Sequence, residues 1–303
     1  MILVLGEILF DVFPADKRIG GAPFNFAFHL SHLGFSVRFV SRVGNDALGR
    51  ELLDFLGTHG FAAGDVQQDN AYPTGTVTVS MDPDGSHTFS IVPDTAYDHI
   101  EFNSHVQELC TSGPDLVYFG TLIQRTPAGR KLIQNVLAAV PSSTVKFCDI
   151  NLRPGCYTRQ VLDDAVAASD ILKLNHGELD VLVPGDGRPL TDRAAGLIRN
   201  PGEPQGPGTV ILTRGERGSI WAVGQGEPEQ APGTAAGINI IDTVGAGDAY
   251  AAMAAAGRLS GLTDRETMGL AQRFAAGICG IRGALPQDFS FYTEFKSRLG
   301  HGR

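Results

Sequence analysis

Residues 241–250 read Ile-Asp-Thr-Val-Gly-Ala-Gly-Asp-Ala-Tyr, and the glycines at 245 and 247 stand directly ahead of an alanine-rich, helix-forming run. A side-chain-free loop that opens a helix leaves backbone N–H groups unpaired at the positive end of the helix dipole. Such a loop suits an anion, including one whose charge grows during a reaction. Asp248, in the first helical turn, would repel an anion that it faced. The arrangement makes sense if the carboxylate faces a nucleophile while the backbone amides face a phosphoryl group. An Asp near a helix start also complements the dipole, and the spacing alone does not separate these readings. Neither a G-x-x-x-x-G-K-[ST] loop nor a well-placed G-x-G-x-x-G is present, so P-loop and dinucleotide readings lack their phosphate cradle.

Other polar residues stand at the ends of apolar runs. Asp11 follows Ile8, Leu9 and Phe10, and Thr213-Arg214-Gly215 follows Val210-Ile211-Leu212. Asp149-Ile150-Asn151-Leu152-Arg153-Pro154 closes another apolar run, at the strand end where α/β proteins place ligands. Gly20-Gly21 permits close backbone approach, Asn25 opens the next helix, and Asn175 and Glu178 have the spacing of a helix cap and its N3 partner. Cys110, Cys148, Cys156 and Cys279 are scattered without C-x-x-C spacing, which argues for reduced thiols in a cytoplasmic protein and against zinc or disulfides. The eight histidines show no metal-ligand spacing either, and His29 and His32 read as surface or core residues.

Short β-rich runs alternate with helical patterns and would position these groups. Strands are predicted at 2–5, 37–43, 116–119, 145–150, 171–174, 210–213 and 219–223, with helices near 24–33, 47–58, 128–139 and 161–168. Continuous apolar strands between helices imply an α/β fold with a mostly parallel sheet covered on both faces. Residues 76–92 alternate instead, with turn chemistry at Pro83-Asp84-Gly85, and read as an antiparallel hairpin. A lone hairpin is marginal in water, so a short strand at 8–13 is its expected partner in a small β lid. Helices at 246–259 and from a Thr263-x-x-Glu266 capping box to about 280 end the pattern. Residues 184–189, 200–208 and 224–237 read as surface loops. With no internal repeat or long linker, one domain over 1–303 is expected, its lid drawn from about 8–19 and 72–99.

The net charge of −9 gives no general attraction to nucleic acid or an anionic membrane. The five apolar residues that open the chain have no basic region before them and read as a buried strand, not a signal peptide. No run approaches the roughly 20 apolar residues of a membrane helix.

DTVGAGDAY, residues 242–250, resembles the C-terminal motif of the ribokinase-like (PfkB) carbohydrate kinases, and GGAPFNFAFHLSHLG, residues 20–34, resembles their N-terminal sugar-binding motif. The resemblance spans essentially the whole chain and implies a Rossmann-like core with a β lid, and phosphoryl transfer from ATP to a sugar alcohol. It assigns Asp248 as base and the amides of Ala246, Gly247 and Asp248, behind Gly245, as anion hole. It sets Asp11 and Asn25 on sugar hydroxyls, with Gly20 and Gly21 lining the same pocket. Arg153 would reach substrate or the transferred phosphoryl, Asp149 would support a metal-water shell, and Lys173 would contact phosphate. Asn175 and Glu178 match the family's N-x-x-E motif, which suits Mg2+ through water and is compatible with the cap reading. Thr213 and Gly215 would lie near the ATP phosphates and ribose, and Cys279 and Gly283 near adenine. Many members bind a monovalent cation such as K+. Matching motifs would place the Asp242 side chain and the carbonyls of Val244, Ile278, Ile281 and Gly283 around it, although Gln287 stands where some relatives have Ser.

The GEILFD start, the GGAPFN motif and the DxNLRP stretch, with Ile150 at its usual Pro, are most similar to fructokinases, so fructose is the first expected acceptor. Ribokinase, 2-keto-3-deoxygluconate kinase, aminoimidazole riboside kinase and nucleoside kinase activities remain alternatives, as does a silent regulatory relative. An acidic sugar would need an added cation, and residues 74–92 contain no Arg or Lys. The expected partners are a small sugar and, through the lid, a second copy of the chain.

Overall fold

The computed structural model describes residues 1–14, 16–81, 87–185, 187–203, 205–233 and 239–300. The chain opens with β1 (Ile2–Leu5), β2 (Leu9–Val12), β3 (Lys17–Gly20), α1 (Ala22–His32), β4 (Val37–Gly44), α2 (Ala47–Thr58) and β5 (Val66–Asp69). The hairpin β6 (Thr76–Met81) and β7 (His87–Ile91) precedes α3 (Ser104–Thr111), β8 (Leu116–Gly120), α4 (Pro127–Ala139) and β9 (Val145–Asp149). Next come α5 (Arg159–Ala168), β10 (Ile171–Asn175), α6 (His176–Leu182), α7 (Leu190–Ala195), β11 (Thr209–Thr213), β12 (Ser219–Val223) and β13 (Glu229–Ala231). The helices α8 (Ala246–Leu259), α9 (Asp264–Cys279) and α10 (Thr293–Arg298) complete the order.

The larger sheet runs β13-β12-β11-β10-β9-β8-β1-β4-β5. Every pairing from β11 to β5 is parallel, and β12 and β13 add antiparallel at one edge. Side-chain alternation along β1 sends Ile2 and Val4 to one apolar layer and Leu3 and Leu5 to the other. The first layer is completed by α1, α2, α8, α9 and α10, the second by α3 to α7. Small buried side chains at Ala249, Ala251, Ala252, Ala254, Ala255 and Ala256 let α8 pack closely against both α1 and α9.

The expected strands and long helices form within about two residues of their predicted limits. The segment 224–237, read as loop, contains β13, which pairs with β12 from Ser219↔Ala231 to Trp221↔Glu229. Three residues are too few to show a period, so only the ladder reveals this strand. The turn expected at Pro83-Asp84-Gly85 lies outside the described residues.

A separate small sheet runs β3-β2-β6-β7. The hairpin does recruit the early strand: β2 pairs parallel with β6 and antiparallel with β3. Asp46 caps α2 at Gly49 N and also accepts from the Thr74 amide at 2.8 Å, fixing the approach to β6. Beyond β7, Arg125 grips buried Asp98 through two bonds of 2.7 and 2.6 Å and donates to the Val92 carbonyl at 2.9 Å. Such bidentate, charge-assisted contacts fix geometry as well as adding energy. Among the described residues no helix is long and apolar enough to cross a membrane.

Candidate active site

Gly245 is the N-cap of α8 and adopts φ 78°, in the left-handed region. A Cβ there would sit 2.3 Å from the Ala284 Cβ, so both backbone angle and space require glycine. No side chain caps this helix, which leaves its first amides to the cleft; Ala246 N makes a 3.3 Å bond to the Thr243 carbonyl. One turn in, Asp248 Oδ2 accepts from Asn25 Nδ2 at 2.8 Å, joining α8 to the start of α1. Asn25 is buried and its Oδ1 has no protein partner. The resemblance set Asn25 on the sugar; in the structure its amide nitrogen orients Asp248 and its oxygen is left without a protein partner. Burial, with the charge of Asp149, pushes Asp248 up to about 6, against the pull of Asn25, Lys173 and Arg153.

Lys173 is buried beside this turn, and its Nζ bonds both oxygens of Asp149, at 3.0 and 2.8 Å. Burial works against the ammonium, but Asp149 and Glu178 more than offset it and hold Lys173 above the usual lysine range. A Cβ on Gly247 would stand 3.6 Å from Lys173 Nζ, so this cation lies against the glycine loop. Its hydrogen bonds nevertheless go to Asp149, not outward.

Asp11 stands opposite Arg18 in the β2–β3 register. Burial pushes Asp11 up to about 6, opposed by Arg153 and Arg18. Gly20 packs against the Asp11 carboxylate, where a Cβ would come within 2.7 Å of Oδ2. Gly21, at φ 110°, crosses the Glu7 carbonyl so closely that a Cβ would approach it to 2.5 Å. Arg153 acts electrostatically on Glu7, Asp11, Asp149 and Asp248, a cation common to all four carboxylates. The lack of basic residues in 74–92 understated the charge of the small sheet, because β3 adds Lys17 and Arg18.

Asn175 and Glu178 form a full capping box on α6: Asn175 Oδ1 accepts from Glu178 N at 3.0 Å and Glu178 Oε2 from Asn175 N at 2.7 Å. Glu178 Oε1 also accepts from Leu152 N at 2.9 Å. With Asp149 held by Lys173 and Glu178 by backbone amides, these groups fit a hydrated Mg2+ reached through water, not direct ligation. No cluster of three or more His, Cys, Asp or Glu suited to a metal occurs among the described residues. Asp242 accepts from Val244 N at 3.1 Å and from Gly283 N at 3.0 Å, and Arg18 Nη1 lies 3.5 Å from its Oδ2. The Ile278 carbonyl accepts from Ile281 N at 3.1 Å. Arg18 therefore meets the charge of Asp242, at the position where the resemblance places a monovalent cation.

A cleft of about 440 Å³ opens on the other side of the glycine loop. It brings together Thr213, Gly215, Ala246, Gly247 and Cys279, with Ile240 at its mouth. Gly283, expected beside Cys279 at adenine, lies across the loop near Arg18 instead. The cleft floor is a buried network in which Trp221 Nε1 donates to Tyr250 Oη at 2.9 Å, while Tyr250 Oη and Gln272 donate to Ser219 Oγ at 2.7 and 3.1 Å. Sequence reasoning missed these residues because no local spacing links them. It also passed over Glu7, although an acidic residue close behind a four-residue apolar strand is the same signal that marked Asp149.

A mostly parallel sheet with a small second sheet, and a glycine-flanked helix start beside a carboxylate, define a ribokinase-like α/β protein. The model of the pfkB family carbohydrate kinases matches residues 6–287, and the chain belongs to that family. It is similar to a fructokinase of Klebsiella pneumoniae, 29% identical over 287 residues that cover 86% of this chain and 84% of that one. An uncharacterised sugar kinase of Pyrococcus horikoshii, solved in complex with ATP, superposes with a TM-score of 0.79 at 25% identity, covering 94% of each chain. A Vibrio cholerae fructokinase, solved with fructose, ADP and calcium, shares the fold with a TM-score of 0.75 at 23% identity, covering 96% of this chain and 97% of that one.

Proposed function

We propose that this carbohydrate kinase transfers the γ-phosphoryl group of ATP to a primary hydroxyl of a sugar, with fructose as the first acceptor. The observation that carries the reading is Asp248, partly buried in the first turn of α8 and hydrogen-bonded by Asn25 beside uncapped helix amides. Asn25 occupies Oδ2, which leaves Oδ1 for the acceptor hydroxyl. An alcohol is a far weaker acid than a carboxylic acid of pKa about 4, so Asp248 does not ionise it in advance. In a loose phosphoryl-transfer transition state Asp248 aligns the oxygen and takes the proton late. The amides of Gly247 and Asp248 stabilise charge developing on the transferred group, and Lys173 adds positive potential behind them. Mg2+, when bound, neutralises phosphate charge, and Asp149 and Glu178 would hold its water shell.

On the acceptor side Asp11, Gly20, Gly21, the free Asn25 oxygen and Arg153 form the sugar pocket, and the small sheet is its lid. Thr213, Gly215 and Cys279 line the ATP cleft. A second reading, an acceptor bearing a carboxylate such as 2-keto-3-deoxygluconate, draws on Arg18, which stands across from Asp11. Release of ADP measured with fructose, ribose, glucose, tagatose, 2-keto-3-deoxygluconate and nucleosides tests both. Selective turnover of fructose supports the first reading, and preference for the acidic sugar, lost in Arg18→Ala, supports the second. No turnover with any of them would refute the enzymatic assignment of this site.

A further inference from the structure

β1 has β8 on one side and β4 on the other, so the strand order reverses around it. α/β sheets bind ligands at such switch points. A small recess lies there, lined by Glu7, Pro23, Tyr118, Thr121, Asp149 and Arg153. Two of its polar side chains are satisfied within the chain: Asp149 by Lys173, and Thr121 by donating to the Ile150 carbonyl at 2.6 Å. Two are not. Glu7 Oε2 and Tyr118 Oη have no hydrogen-bond partner, although Glu7 is only 4% exposed and Tyr118 fully buried.

Unpaired buried polar atoms are rare in native proteins, and each calls for a ligand or a solvent molecule. These two are also held in place. The Tyr118 ring stacks on Phe26 with centroids 4.0 Å apart, which fixes the direction of its hydroxyl. Pro23 packs so tightly over Gly6 that a Cβ there would meet its Cγ at 2.3 Å, closing the turn that carries Glu7. Asp149, which lines the recess, is bonded by the Lys173 ammonium that lies against Gly247, so the recess adjoins the glycine loop.

We propose that Glu7 and Tyr118 form the inner end of the acceptor pocket and hydrogen-bond a sugar hydroxyl other than the one phosphorylated. They are then specificity-determining residues for a polyhydroxylated acceptor. The inference rests on the acceptor cleft described under the proposed function. Burial pushes Glu7 up to about 7, so near neutral pH it can serve a hydroxyl as donor or as acceptor. Tyr118, held well above its ordinary range by burial, stays a neutral hydroxyl with one proton to give.

The test uses Glu7→Gln and Tyr118→Phe in the full-length chain, both of which keep the shape of the side chain. Each is assayed with whichever of fructose, ribose, glucose, tagatose and 2-keto-3-deoxygluconate is turned over fastest, and with the monodeoxy analogues of that sugar. We expect the acceptor KM to rise about tenfold or more in each variant while the KM for ATP holds. The unaltered protein should reject one analogue by a similar factor, and each variant should lose most of that discrimination. Asp11→Asn serves as the control on the cleft itself. If it raises the acceptor KM while Glu7→Gln and Tyr118→Phe leave KM and analogue discrimination untouched, the recess holds solvent and the proposal falls alone. If Asp11→Asn also changes nothing, the cleft assignment fails and takes the proposal with it. A lowered melting temperature with discrimination intact would likewise overturn the proposal, because it would mark the pair as purely structural.

Discussion

Asp248 is kept close to neutrality by its surroundings, and its pH behaviour follows with a definite sign. Only the carboxylate accepts a proton, so kcat/KM should fall as pH drops through about 6, by about tenfold per unit below it. The Asn25 amide pulls this value down, so Asn25→Ala should move the acid limb to higher pH and lower kcat by about tenfold or more. A profile that moved to lower pH would contradict the pairing. Replacing Asp248 with Asn should cost about 10²-fold or more in turnover while sugar binding, followed by calorimetry, persists. Its folded value stands above the ordinary aspartate value of 3.8, so the stability it contributes is full below 3.8 and lost as pH rises through about 6. The Asn variant should therefore melt no lower than the parent at pH 7.5, as calorimetry can check.

Elements decide whether those residues meet. Gly245→Ala forces a Cβ into the left-handed region and against Ala284, so the start of α8 must shift. We expect a loss of about 1–3 kcal/mol in denaturant unfolding, together with a larger fall in kcat than in sugar affinity. The Arg125–Asp98 pair acts at the base of the small sheet, and Arg125→Ala leaves a fully buried carboxylate unmatched. About 3 kcal/mol or more of stability should go with it. Local signals explain what could be read in advance. β1, β8 and β11 are continuous apolar runs, and α9 announces itself by the Thr263–Glu266 capping box. The helix α6 carries the same kind of signal but is only seven residues long, and β3 reads Lys-Arg-Ile-Gly, polar enough to pass for a turn. The glycine loop with Asp248 was legible for the same reason: its chemistry lies within ten consecutive residues. Pairings were not. Asn25 with Asp248 spans 223 positions and Lys173 with Asp149 spans 24, and no sequence period connects either pair.

At the scale of the molecule the two sheets divide the work. The large sheet and the α1–α8–α9 layer hold the glycine loop, Asp248, Lys173 and the mouth of the cleft beside Cys279 on packed elements. The small sheet is built from separate stretches of chain, strands within 9–20 and strands at 76–81 and 87–91, and the first stretch brings both Asp11 and Arg18 over them. The bond between Asn25 and Asp248 therefore has a consequence for synthesis. β1 and α1 precede their partners in the chain: β1 waits for β8 before its second edge is covered, and Asn25 waits for α8. Pairings this distant are slow to find and leave hydrophobic edges open meanwhile. A nascent chain stopped short of residue 248 would hold every described strand but lack the carboxylate that Asn25 bonds, so the proposed chemistry is completed only after the sheet that positions it.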